Sequence, residues 1–263
     1  MKKVRRNTYY FIVSFLSAVM ILTAVYVNPA QVEAAAATRQ NIVQETVASS
    51  SINSTEIYII DSGKPGPVVM ITGGVHGNET AGVKAASEYT DLTIKKGMLL
   101  VLPEANQNAV AIDRRIAEGG SDLNRSFPQT KSESADTILA RAIYKIVKDY
   151  DVDWLMDMHE GIDYYKNTKT DSVGQTLIYY PSQQMTPMAK TIVNTVNKSI
   201  LKSYYYKYSL LKYPVKGSLT RSSAQFLGVN AFIFETSQKQ TLATRVNQQC
   251  IAADTLLKQL DMI

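Results

Sequence analysis

One cysteine, two histidines and one tryptophan among 263 residues leave this chain few routes to side-chain chemistry. A lone Cys250 excludes an internal disulfide scaffold. No Gly-X-Y period and no heptad repeat runs through the chain, which excludes collagen-like and coiled-coil architectures. At 45% hydrophobic residues the chain holds enough apolar surface to offset its ordering entropy, so it is not a disordered segment. What remains is a globular protein whose length suits one α/β domain, or at most two. Any histidine chemistry must use His76 and His159, because no other histidine exists.

Long apolar runs are also absent, except one. Lys2, Lys3, Arg5 and Arg6 precede an unbroken apolar stretch over residues 9–27, followed by Asn28, Pro29 and the small-residue run 32–36. This reads as a secretory signal peptide over residues 1–36, cleaved near Ala34 to Ala36, where Val32 and Ala34 supply small residues for a signal peptidase. An uncleaved anchor helix is the competing reading, since about 20 apolar residues span a bilayer. Without residues 1–34 the chain carries 24 basic and 22 acidic residues, a net charge of +2. The basic character of the full chain belongs to its leader, and the charge gives no support to nucleic-acid binding.

Residues 37–55, rich in Thr, Gln, Ser and Asn, are expected to be a flexible, solvated lead-in, with the folded domain over 56–263. From residue 56, β-rich apolar runs alternate with amphipathic segments. Strands are expected at 56–60, 67–72, 98–102, 153–158, 176–180 and 231–234, and helices at 79–89, 136–150, from 185 onward and 242–260. In the second helix Leu139, Ala142, Ile143, Ile146 and Val147 recur at spacings of three and four. Alternating β and α argues for a three-layer α/β/α sandwich around a mixed, largely parallel sheet. Cys250, at helical spacing from Val246, reads as a small buried apolar residue. The polar segment 104–134 fits no element, and thirty such residues inside a compact domain point to function.

Gly73-Gly74-Val75-His76-Gly77-Asn78-Glu79 follows an apolar strand and opens a helix. His76 and Glu79, three apart across that turn, can aim at one point beyond the strand's carboxyl end, where α/β sheets bind ligands. His159 closes another apolar strand and emerges at the same edge. Two imidazoles and one carboxylate are a catalytic zinc set, three protein ligands with a fourth position open. An isolated H-x-x-E carries little weight; both histidines of the chain falling at strand ends carries more.

Four motifs in this order resemble the zinc carboxypeptidase superfamily, the carboxypeptidase A-like metallopeptidases, and within it the succinylglutamate desuccinylase/aspartoacylase-like branch. They are His76 with Glu79, the block Asp122-Leu123-Asn124-Arg125, His159 after Asp157-Met158, and Glu235 after Phe232-Ile233-Phe234. The resemblance covers residues 56–260 and implies one zinc ion held by His76, Glu79 and His159. It implies Glu235 as general base, Arg115 as the cation that stabilises the oxyanion, Asn124 and Arg125 as the clamp on a substrate carboxylate, and Asp122 as the group orienting His76. Arg114 adjoins Arg115, and the sequence does not separate the two. Tyr213, 22 residues before Glu235 and followed by Gly217-Ser218, matches the phenol that carboxypeptidases place over substrate.

The implied activity is hydrolysis of an amide bond beside a free carboxylate, by a carboxypeptidase or a deacylase of N-acyl amino acids. Substrates are then peptides, cell-wall stem peptides among them, or N-acyl amino acids, and no nucleic acid. Two rivals are a non-catalytic envelope peptide-binding protein that retains the fold, and a structural zinc site in a module carrying the tyrosine clusters at 164–165, 179–180 and 204–208. The first predicts lost ligand or base residues, and the second a fourth protein ligand. If residues 1–36 act as an export signal, cells expressing the full chain should release a shortened product into the culture supernatant, visible on a Western blot. A full-length, membrane-bound product would refute cleavage.

Overall fold

The computed structural model describes residues 40–201 and 203–263, all within one compact unit. The leader expected over 1–36 lies outside the described residues. Among the described residues no helix is long and apolar enough to cross a membrane.

Eight strands form one mixed sheet in the order β1-β2-β4-β3-β5-β8-β6-β7. They are β1 (Asn41–Val47), β2 (Thr55–Asp61), β3 (Val68–Thr72), β4 (Met98–Leu102), β5 (Trp154–Gly161), β6 (Thr176–Tyr179), β7 (Ser209–Lys212) and β8 (Asn230–Ser237). The four central strands, β4, β3, β5 and β8, run parallel. Among the described residues six α-helices join them: α1 (Thr80–Ser87), α2 (Gln107–Ala111), α3 (Ile138–Asp149), α4 (Met185–Ser199), α5 (Leu219–Leu227) and α6 (Leu242–Gln259).

The central strands are apolar on both sides because helices cover both sides. Val69, Ile71, Trp154, Met156, Phe232 and Phe234 pack into a core shared with α1, α4 and α6. Met70, Leu100, Leu155 and Ala231 alternate to the opposite face and pack with α3 and α5. This is the three-layer sandwich expected from the alternation of β and α.

Three expectations change. The polar lead-in over 37–55 contains β1, which pairs antiparallel with β2 along its full length from Asn41↔Asp61 to Val47↔Thr55. Six of its seven residues are exposed, as an outermost strand allows, so it carries no apolar alternation to read. The segment 104–134 is not featureless: it holds α2, capped by the Asn106 side chain, and a 3₁₀ turn over Leu123–Arg125, capped by Asp122. Cys250 is half-buried at the margin of the first core rather than enclosed in it.

One close approach ties α1 to β5. A Cβ placed on Gly82 would lie 2.5 Å from the Met158 carbonyl oxygen. Gly82→Ala should therefore destabilise the protein in thermal denaturation. Its helix-propensity gain is about 1 kcal/mol, whereas overpacking against a backbone oxygen costs roughly 1–3 kcal/mol. An unchanged or raised melting temperature would contradict this contact.

Candidate active site

The turn 73–78 leaves β3 under tight constraint. A Cβ on Gly77 would fall 2.0 Å from the backbone of Ala109 in α2, so only glycine fits. The amides of Ala105 and Asn106 donate to the carbonyls of Gly73 and Gly74, each at 2.9 Å. The turn is thereby zipped to the next loop, and His76 is held 2% exposed. Glu79 takes the N-cap position of α1, yet its carboxylate does not cap the helix. It turns instead towards two imidazoles, with Oε1 2.6 Å from His76 Nδ1 and Oε2 2.9 Å from His159 Nδ1.

β5 and β8 bring the other groups to the same place. Parallel register sets His159 beside Glu235 and Asp157 beside Ile233. The period of two along a strand puts Asp157 and His159 on one face, with Ile233 and Glu235 on the matching face of β8. Asp157 Oδ2 lies 3.0 Å from His159 Nε2, at ion-pair distance, and Asp157 Oδ1 accepts from Thr72 Oγ1 at 2.8 Å. Asp122 Oδ1 stands 3.1 Å from His76 Nε2, while its Oδ2 accepts from the Arg115 guanidinium at 3.0 Å. Each ring therefore carries an aspartate on its far nitrogen.

This arrangement fits a divalent metal. Both Nδ1 atoms face the Glu79 carboxylate, and in the tautomer protonated at Nε2 each offers a lone pair to a group that offers only lone pairs in return. Ligand atoms of His76, Glu79 and His159 converge within 4.8 Å of one another, all buried. Such acceptors repel unless a cation or protons intervene, and two nitrogens with one carboxylate oxygen form a catalytic zinc set.

The electrostatics follow from the same contacts. Burial by itself would raise Glu79, but His159 and His76 override it and hold the carboxyl well below its usual range. Burial would lower His159; Asp157 and Glu79 instead hold its imidazolium well above the ordinary value. Asp122 is likewise kept low by His76 and Arg115 against the pull of burial. Glu235 goes the other way: burial, reinforced by the charges of Glu79 and Asp157, pushes its carboxyl well above the ordinary carboxylate range.

A cavity of about 650 Å³ opens over these groups. Arg115, Asn124, Arg125 and Glu235 line it together with His76, Glu79 and His159. Arg115 reaches in with a side chain 45% exposed, its guanidinium 3.3 Å from His76 Nδ1. Arg114 is not among the lining residues, so the turn that follows α2 separates the two neighbours that the sequence left open. Asn124 is buried with its Oδ1 unpartnered, and Arg125 donates to the Asn124 carbonyl at 2.8 Å. Tyr213 does not line the cavity: it is 57% exposed, sits at φ 63° and packs edge-on against Tyr180. Val215 lines the cavity in its stead.

Sequence reasoning missed Asp157, Glu160 and the wall that Ile162, Thr170 and Val173 build. The signal for Asp157 was available, because an acid two residues before His159 shares its strand face. For the wall there was none: its residues meet the cavity only through the loop between β5 and β6.

The chain matches the succinylglutamate desuccinylase/aspartoacylase catalytic domain over residues 65–249 and belongs to that family. A curated relative, N-alpha-acetyl-L-2,4-diaminobutyric acid deacetylase of Halomonas elongata, is 29% identical over 100 residues, which are 36% of this chain and 29% of that protein. Among solved structures, cell shape determinant protein Csd4 of Helicobacter pylori, a D,L-carboxypeptidase solved with mDAP bound, superposes with a TM-score of 0.64 at 20% identity, over 75% of this chain and 52% of that one. A succinylglutamate desuccinylase/aspartoacylase of Rhodobacter sphaeroides gives 0.62 at 18% identity, over 85% of this chain and 66% of that one. The chain thus spans under a third of the curated relative and about half of Csd4. At these identities the solved structures establish the shared fold.

The opposed shifts of Glu79 and His159 set a stability window for the metal-free protein. Glu79, lowered on folding, contributes fully above its unfolded value of 4.5 and loses that contribution as pH falls. His159, raised on folding, contributes fully below its unfolded value of 6.5 and loses that contribution as pH rises. Urea unfolding of metal-free protein should show this pair stabilising most between pH 4.5 and 6.5, with decline on both sides. If Glu79→Gln leaves the pH profile unchanged, the pairing is wrong.

Proposed function

We propose that this protein is an exported, zinc-dependent hydrolase that cleaves an amide bond adjacent to a free carboxylate, as a carboxypeptidase or a deacylase of N-acyl amino acids. The observation that carries the reading is the convergence of His76, Glu79 and His159 in one cavity with Glu235 and Arg115. Membership of the desuccinylase/aspartoacylase family supports hydrolysis of an amide, and the leader-like residues 1–36 support export.

When bound, zinc would lower the pKa of water from about 15.7 towards about 7 and polarise the scissile carbonyl. The chain's own residues do the rest. Glu235, raised by burial, is a base poised nearer neutrality than an ordinary carboxylate; it takes the proton of the attacking water and passes it to the leaving amine nitrogen as the C–N bond breaks. The Arg115 guanidinium faces the site beside His76 and donates to the oxygen on which negative charge develops. Arg125 binds the substrate carboxylate, for which a guanidinium fork is well shaped, and Asn124 beside it donates from its side-chain amide nitrogen. Asp122, 3.1 Å from His76 Nε2, favours the tautomer of that ring that presents Nδ1, and the Asp157 carboxylate lies 3.0 Å from His159 Nε2 as a nearby negative charge.

A second reading, a carboxypeptidase of peptidoglycan stem peptides with the same chemistry, is favoured by the fold shared with Csd4, a D,L-carboxypeptidase solved with mDAP and with a tripeptide. Zinc-loaded protein incubated with N-acyl amino acids, short peptides and muropeptides, with products read by mass spectrometry, decides between the readings; cleavage of none refutes both. In the active assay Glu235→Gln should lower turnover by about 10²–10⁴-fold while bound zinc, measured by atomic absorption, stays stoichiometric. Chelation should abolish activity and added zinc restore it. Full activity in the glutamine variant would remove Glu235 as the base.

A further inference from the structure

The groups behind the metal-ligand cluster have no part in the chemistry described above. α6 carries Arg245 and Gln249 one turn apart, and both reach the end of β5. Gln249, fully buried, donates from Nε2 to the carbonyls of His159 at 2.9 Å and Phe234 at 3.2 Å. Arg245 forms an ion pair with Glu160, whose side chain has no exposed surface. The other oxygen of Glu160 accepts from the backbone N–H of Ala81 at 2.6 Å, and the backbone N–H of Glu160 donates to Glu79 Oε2 at 3.0 Å.

A local conflict explains this arrangement. The first-turn amides of a helix have no partner within the helix and take one from the N-cap side chain. α1 has Glu79 at that position, with its carboxylate committed to the imidazoles. Glu160 supplies the missing acceptor to the Ala81 N–H from the neighbouring strand, and its own backbone N–H donates to Glu79 Oε2. The first bond fixes the start of α1, which carries Glu79, against β5, and the second fixes one oxygen of the Glu79 carboxylate. A buried carboxylate without a counter-charge would be heavily penalised, and Arg245 supplies that charge from α6.

We infer that Glu160, balanced by Arg245, is a positioning residue that sets the orientation of the Glu79 carboxylate and thereby the metal affinity of the site. The inference rests on the reading of His76, Glu79 and His159 as metal ligands.

Two double variants of the full chain separate positioning from bulk stability. Both E160Q/R245M and E160A/R245M remove the charge pair without stranding either member, but only glutamine keeps an acceptor for the Ala81 N–H. Zinc affinity, by competition with a chromophoric chelator on protein whose folding is verified by circular dichroism, should be about 10–100-fold weaker in E160A/R245M than in E160Q/R245M. A merely structural role would move the melting temperature of folded protein and leave this ratio near one. Equal affinities overturn the inference. Should E160A/R245M fail to fold, Glu160→Asp serves: it keeps the charge for Arg245 but is one methylene too short to reach Ala81. The same weakening is then expected, and wild-type affinity overturns the inference. His76→Ala, run alongside, must lose zinc. Full zinc binding there overturns the ligand assignment itself, whereas its loss combined with equal affinities in the double variants overturns positioning alone.

Discussion

The carboxylate of Glu79 between the Nδ1 atoms of His76 and His159 is the contact on which the surrounding structure depends. Three ionisable ligands are withdrawn from water at the edge of an apolar sheet, and each needs a partner for whatever it does not give to the centre. Asp122 and Asp157 take the far ring nitrogens, and the Glu160 backbone takes Glu79 Oε2. Those partners have needs of their own. Thr72 bonds Asp157 and Arg115 bonds Asp122, so the polar network grows outward until it meets solvent at Arg115. The same network explains why β5, buried along its whole length, tolerates an aspartate, a histidine and a glutamate.

Sheet order does the rest of the assembly. β8 lies directly against β5, although two strands, β6 and β7, come between them in sequence and sit farther out. A parallel neighbour requires a crossover, and this one is long enough to build the cavity wall, the tyrosine-rich turn over Tyr204–Tyr206 and α5 before Glu235 arrives beside His159. His159 and Glu235, drawn from distant parts of the chain, thus share one face by register alone. Glu235 inherits its environment: the burial that makes β8 a core strand also raises its carboxyl.

The doubly covered strands could be read because Val69–Ile71, Leu99–Leu102 and Phe232–Phe234 are continuous apolar runs, a pattern that burial on both faces demands. β1 could not, since an exposed outermost strand needs no apolar residues. α5 escaped for a different reason. Its buried face is largely Thr220, Ser222 and Ser223, held by hydrogen bonds such as Ser222 Oγ to the Pro128 carbonyl and not by apolar packing alone. At the site, residues fixed by short-range geometry were legible: His76 and Glu79 span one turn, and Asp122, Asn124 and Arg125 one 3₁₀ cap. Tyr213 was not, because its placement depends on how β7 ends. A left-handed backbone there turns its ring onto Tyr180.

By itself the sequence determined which residues could do chemistry. Only two histidines exist, and their strand-end positions, with H-x-x-E spacing at the first, single out His76, Glu79 and His159 as the candidate metal-binding set. Tertiary structure alone decided which nitrogen of each ring faces inward, that Arg115 and not Arg114 enters the cavity, and that Glu160 and Arg245 stand behind Glu79 and His159. Ligand spacing is a local property carried by turns of a few residues. Apart from Asp157, two residues before His159, the supporting groups come from 39 to 85 residues away in the chain, and only the packed sheet and its helices bring them within hydrogen-bonding range.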